Sequence, residues 1–467
     1  MTTLRPPLHR PRLRPLTFAG ASVAVVIITY LAVALDPRRT PPSPTAPIGA
    51  HDDVVSLPAP ALASGSEALL AALDHEIGLW AASLAANEGD YIAATRLGGL
   101  HLQRARITGD LGDYDRALEA SERAVAADPI FWAGHTLRAT VLFALHDFTG
   151  ALAEAQTTFA ADPTQLDALA VVGDASLEVG DVQAAAHAYA ELLDAAPTPP
   201  VWSRLAHLAF LRGDTRAALD GANRAVAAVD PAEDPAGAAF YRYQLGEIQR
   251  SLGNLQDASA AFEDSLDALD GYVPAEAALA NVREAQGRRT EAIGLLEAAA
   301  RARPQPEILA ALGDLYALAG DDARAEEHYA LVERIGTLAR AGGGIYDRQL
   351  ILFAADHDRG VDLAVSAAAA SLERRKDVYG YDAYAWSLLA AGRVDEASAA
   401  ITDALALGTP DPRIAYHAGM IAVASGQVAE AQGLLERAVA GSAALPPLQA
   451  ERANDALAAL GGGAQRP

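Results

Sequence analysis

The sequence predicts an all-α chain in which short helices stack in pairs as a solenoid. Three observations predict it. Alanine accounts for 110 of 467 residues, and alanine is the strongest helix former and gives the thinnest helices. Pro129, Pro163 and Pro197 recur every 34 residues, and the pairs Gly253/Gly287 and Gly392/Gly426 keep the same interval. One central Gly turn and one terminal Pro per 34 residues describe two antiparallel helices. Length alone would suggest about three domains. A repeat at this interval replaces them by one quasi-one-dimensional array.

The elements follow in order. Residues 1–15 are a basic head with Arg5, Arg10, Arg12 and Arg14. Residues 16–35, from Leu16 to Leu35, are uncharged and as a helix would span ~30 Å, one bilayer core. The arginines ahead of the run place the N-terminus in the cytoplasm and the rest outside, as a retained signal anchor. Ala32-Val33-Ala34 has the small-x-small form of a cleavage site near Ala34, so a cleaved, secreted or periplasmic form is the rival. Residues 36–63 carry Pro37, Pro41, Pro42, Pro44, Pro47, Pro58 and Pro60, a stiff tether. Residues 64–89 hold an N-terminal helix, expected over Ser66–Ala86. Residues 90–338 hold repeats 1–7, and 339–344 a glycine hinge with Gly342, Gly343 and Gly344. Residues 345–444 hold repeats 8–10. Residues 445–467 supply a capping helix, expected over Leu448–Leu460, and a tail. In the first repeat the segment from Gly98 to Gly112 reads as a first helix lengthened by seven residues, with Gly112 in the turn.

Charge and composition exclude several functions. Residues 1–50 carry six arginines and one acid, Asp36, while the remaining 417 residues hold 30 basic and 59 acidic groups. So acidic a body repels phosphate backbones, and no nucleic-acid partner is expected. There is no cysteine, hence no disulfide, thiol nucleophile or cysteine metal site. No phosphate loop, G-x-S-x-G elbow or H-E-x-x-H motif occurs, so neither enzyme activity nor a cofactor is expected.

In phase with the 34-residue interval, the eighth place of each unit reads Ala139, Gly173, Ala206, Gly246, Ala280, Gly313, Ala385 and Gly419. The twentieth place is alanine ten times, at 117, 151, 185, 218, 258, 292, 325, 364, 397 and 431. Small residues at helix crossings allow close packing, and larger ones would cost ~1–3 kcal/mol. This pattern resembles the tetratricopeptide repeat (TPR) family through roughly residues 90–444. The resemblance implies a right-handed superhelix of about ten helix-turn-helix units that binds polypeptides in a concave groove. The groove positions it implies include Asp174, His207, Phe240, Tyr243, Glu247, Arg250, Asn281 and Asp314. Their mixture of acids, His and aromatics suits a protein or peptide partner of basic or mixed charge. The family's carboxylate clamp is excluded, because the only lysine is Lys376 and no first helix carries it.

A second polar cluster lies behind the hinge. Arg348, Asp382, Trp386, Tyr416 and Met420 read as a second recognition surface, or as interior salt bridges such as Arg348 with Asp382. Asp356-His357-Asp358 is ligand-rich, yet neighbours on a helix point apart, so no metal is expected there. An enzymatic or metal-handling role of residues 345–420 remains the alternative of a different class. The preferred expectation is a membrane-anchored, extracytoplasmic scaffold for envelope assembly, secretion or maturation of an exported protein.

Overall fold

A computed structural model describes residues 64–342 and 347–463. The head, the apolar run, the tether, Gly343 and Gly344 lie outside the described residues. What is described is helical, without strands. A first helix α1 (Ser64–Ala86) precedes ten helix pairs. They are α2 (Tyr91–Thr108) with α3 (Leu111–Ala127), α4 (Trp132–Ala144) with α5 (Phe148–Ala161), and α6 (Leu166–Glu178) with α7 (Val182–Ala195). Next come α8 (Pro199–Leu211) with α9 (Thr215–Ala228), α10 (Pro235–Ser251) with α11 (Leu255–Ala268), and α12 (Val273–Ala285) with α13 (Arg289–Ala302). Then follow α14 (Pro306–Leu318) with α15 (Asp322–Gly342), and α16 (Asp347–Asp356) with α17 (Val361–Leu372). The last pairs are α18 (Val378–Ala390) with α19 (Val394–Leu405) and α20 (Pro412–Ala424) with α21 (Val428–Ala440), closed by α22 (Pro447–Gly463).

Helix crossings explain the small residues. Eight of the ten twentieth-place alanines are wholly buried, and Ala325 and Ala364 nearly so. Most eighth-place residues are matched in size to the residue sixteen later in the same unit. A Cβ on Gly173, Gly246 or Gly313 would run into the ring of Tyr189, Phe262 or Tyr329, and one on Gly419 into Leu435. Where the eighth residue is Ala139 or Ala206, the opposing side is Ala155 or Ala222. Six units thus balance volume across their own crossing, whereas Ala280 and Ala385 have Leu296 and Ile401 at the matching place.

Two local readings are corrected. Gly112 is not a turn residue but lies inside α3. The break falls three residues earlier, because Gly109 adopts φ 74° as a left-handed cap and Asp110 then caps α3 through Gly112 N–H. The extension is therefore shared: α2 has 18 residues and α3 17, against 13 and 14 in α4 and α5. In the eighth unit the turn is made without glycine at Arg359, by Asp358 at φ 55° and Gly360 at φ 70°. Helix α15 continues through Gly342, for 21 residues.

The array winds tightly enough to touch itself. Hydrogen bonds join Arg250 to the Ala443 carbonyl, Arg303 to the Ile107 carbonyl, Arg375 to Glu178 and Thr409 to the Leu211 carbonyl. Their sequence separations are 193, 196, 197 and 198 residues. One superhelical coil therefore takes slightly fewer than six 34-residue units, and successive coils meet along a seam. A hydrophobic cluster continues across it, joining Leu177, Val201 and Leu211 to Val378, Tyr379 and Ile414.

Candidate functional site

In an open superhelix the first helix of each unit lines an accessible lumen. Here the lumen is filled from both ends. The added length of α2 carries Ile107 into the cluster of Phe240, Tyr243 and Leu279, and brings Arg106 within electrostatic reach of Asp174 and Arg204. At the other end α22 packs back against α14 and α20, and its Gln449 is 1% exposed. The sequence-derived groove residues fall into separate clusters within the array, some polar and one apolar.

Asp174 is 1% exposed. Its carboxylate accepts from Tyr189 Oη at 2.7 Å and from Arg204 Nε and Nη2, both at 2.8 Å. Burial pushes the Asp174 carboxyl up to about 6 against the pull of Arg204. Burial likewise pushes His207 down to about 4, so its ring is neutral at neutral pH. His207 lines a cavity of about 310 Å³ at the seam, with Leu177, Leu211, Lys376, Tyr381 and Asp403. Phe240 and Tyr243 are core residues, the Tyr243 ring lying 6.0 Å from Phe262 and 6.1 Å from Tyr272.

Glu247 grips Arg250 at 2.7 and 3.0 Å, which aims Arg250 Nη1 at the Ala443 carbonyl, 2.7 Å away across the seam. Asn281 Oδ1 is buried without a hydrogen-bond partner among the described residues. Asp314 accepts from Tyr329 Oη at 2.8 Å and meets His357 Nε2 at the same distance. It repeats the Asp174–Tyr189 arrangement, with a histidine in place of the arginine.

The second cluster is also internal. Arg348 pairs with Asp377 at 3.2 Å, not with Asp382 as the sequence suggested. Asp382 instead holds His417 Nδ1 at 2.8 Å. Thirty-five residues bring these two onto neighbouring first helices, whereas the N-terminus of α18 presents Asp377 to Arg348. Trp386 donates its indole N–H to Asp356 at 2.7 Å and stacks on His417 at 4.2 Å and 14°. Tyr416 is 1% exposed, and Met420 packs against the same apolar cluster. Asp356, His357 and Asp358 diverge, to Trp386 and Gln449, to Asp314, and to a turn respectively. No group of three or more metal-ligating side chains converges among the described residues.

Sequence reasoning missed Arg204, Glu178 and Gln449, and placed Arg375 in the post-hinge polar cluster without its partner. Glu178 and Arg375 form the seam's ion pair at 2.5 Å, each side chain 4% exposed. Burial pushes the Glu178 carboxyl up, to about 7, with Arg375 opposing. The only signal for Asp174–Arg204 was a spacing of 30 residues, slightly short of one unit.

The sequence pattern of the tetratricopeptide repeat matches residues 102–165, 136–200, 277–339 and 383–446. No curated protein is significantly similar. Among solved structures, PilW, a widely conserved type IV pilus biogenesis factor, is 18% identical over 44% of this chain and 93% of its own, with a TM-score of 0.38. Yeast Tom70 is 12% identical over 86% and 95%, with a TM-score of 0.36. The human IFIT1 dimer with PPP-AAAA is 16% identical over 68% and 73%, with a TM-score of 0.45. The matched segments are tetratricopeptide repeats, and the ten helix pairs build one all-helical solenoid.

Proposed function

We propose that this chain is a polypeptide-docking scaffold, held at a membrane by its N-terminal segment with the solenoid outside the cytoplasm. It would serve envelope assembly, secretion or maturation of an exported protein. The observation that carries the reading is the order of parts. Four arginines, a 20-residue uncharged run and a proline-rich stretch lead directly into an array of interaction repeats.

Helix α1 is not the anchor in this reading. Its Leu69–Ala86 stretch is long and apolar enough to cross a membrane, the one such helix among the described residues. It nevertheless contains Asp74, which pairs with Arg104, and buries Leu70, Leu73 and Leu84. Alkaline extraction of membranes and N-terminal sequencing test the proposal. An intact N-terminus in the membrane pellet is expected. A mature protein beginning at Leu35 in the soluble fraction would replace the anchor by the cleaved form, which Ala32-Val33-Ala34 favours.

A further inference from the structure

The two coils differ in what covers their rims. One rim of the superhelical ribbon carries the turns within units, the other the loops between units. In the first coil the turn glycines Gly109, Gly180, Gly213 and Gly253 each lie against the second coil, at Arg303, Lys376, Gly408 and Ala440. The helices ending at these turns leave their last carbonyls without intrahelical donors. The second coil supplies the donors. Ile107 accepts from Arg303, Glu178 from the Lys376 N–H at 2.8 Å, and Leu211 from Thr409 at 2.7 Å.

The turn rim of the second coil has no such cover. A Cβ at Gly287, Gly320, Gly360, Gly392 or Gly426 would meet nothing within 4 Å. Along this rim Asp322, Asp358, Asp362, Asp395 and Glu430 are exposed, with no ion pair among the described residues. The rim therefore continues an interface the molecule already uses; its arginines Arg288, Arg324, Arg359 and Arg393 are held by Glu291, Asp321, Glu326 and Glu396, which leaves the five acids as its open charge.

We propose that this open rim docks an extended, basic segment of a partner polypeptide, laid along it as the loops at Arg303–Gln305 and Arg375–Asp377 lie along the first coil. The inference rests on the scaffold reading and names its surface and the chemistry of its partner. A second copy of the chain fits less well. Its uncovered loop rim carries Asp128, Asp162, Asp230 and Glu233, like charges against an acidic edge.

The probe is a fluorescent peptide of two tandem copies of residues 300–306, which carry Arg301 and Arg303 ahead of Pro304 and Pro306. Its anisotropy is titrated with the full-length protein at physiological salt. Asp322→Lys, Asp395→Lys and Glu430→Lys together are expected to raise Kd at least tenfold. The control Glu119→Lys, Glu191→Lys and Asp194→Lys, with the same charge change on exposed sites elsewhere, is expected to change it less than threefold. Equal weakening by both triples, or no binding by the unmodified protein, overturns the proposal. A dimer in sedimentation that only the rim triple dissolves would also overturn it, by giving the rim to a second copy. Crosslinking in native membranes separates this inference from its basis. Partners recovered equally by wild type and rim triple reject the rim alone, whereas no partner for the wild type rejects the scaffold reading itself.

Discussion

Replacing Arg375 by methionine would leave Glu178, 4% exposed, without its partner across the seam, and its carboxyl, already pushed up by burial against the pull of Arg375, would take up a proton at neutral pH. Two unit charges at the observed 2.5 Å attract by about 7 kcal/mol at an effective dielectric constant near 20. Desolvating the two ions offsets most of that, so the intact pair is close to neutral against an apolar pair of similar volume. The single variants Arg375→Met and Glu178→Leu are therefore each expected to cost about 3–5 kcal/mol, the first leaving a buried carboxyl that must take up a proton and the second leaving Arg375 only the longer contact to Asp377 at 3.7 Å. The double variant is expected to cost about 1 kcal/mol or less. It retains the Lys376 N–H to Glu178 carbonyl bond at 2.8 Å and the apolar cluster around Leu177 and Val378. Urea unfolding followed by far-UV circular dichroism gives the four corners of the cycle. X-ray scattering at zero urea reads whether the coils part, as a larger radius of gyration at unchanged helicity. Singles that cost less than about 1 kcal/mol, or a double equal to their sum, would refute the reasoning that the seam depends on this pair.

Four other outcomes are expected. Gly246→Ala places a methyl against the Phe262 ring and should lose about 1 kcal/mol net, overpacking of ~1–3 kcal/mol outweighing the helix-propensity gain. Gly294→Ala, in α13 with nothing within 4 Å, should instead gain ~0.5–1 kcal/mol, and both are read from urea midpoints. Trp386→Phe removes the indole N–H from Asp356 and should cost about 1–3 kcal/mol in the same assay. Asp174 and Glu178 have folded pKa values raised to about 6 and about 7, above their unfolded values, so the fold binds protons more tightly than the unfolded chain. The stability they contribute is full at low pH and is lost as pH rises through those values. His207, lowered to about 4, acts in the opposite direction below ~6.5. The urea midpoint should rise between pH 7.5 and 6.5, and Glu178→Gln should flatten that rise.

The parts of the fold that were legible in the sequence are local ones. A unit's two helices cross within 34 residues, so the demand for a small residue at the crossing recurs in phase, and Ala117 through Ala431 show it directly. The turn at Gly109 was misplaced because two Gly-Asp pairs, Gly109-Asp110 and Gly112-Asp113, lie three residues apart, and either can break a helix. The site was less legible, because whether a groove is open depends on superhelical pitch. Pitch is the sum of small rotations over many units and leaves no mark on any one of them. Asp174 lies buried and His207 half-buried. Nothing near them announces that Arg204 and the longer α2 occupy the space in front. Glu178 and Arg375, 197 residues apart, carry no pattern linking them until the coil is closed.

Open solenoids lengthen and shorten readily, since one more repeat merely extends a stack. The seam removes that freedom here. Duplicating or deleting a single unit between Ile107 and Arg303 would displace every loop of the second coil by one place along the first. Arg303, Lys376 and Thr409 would then face the wrong carbonyls together. Recombination between units, which ordinarily makes repeat arrays vary in length, would leave a chain that cannot close on itself. Unit number in this molecule is set by its circumference.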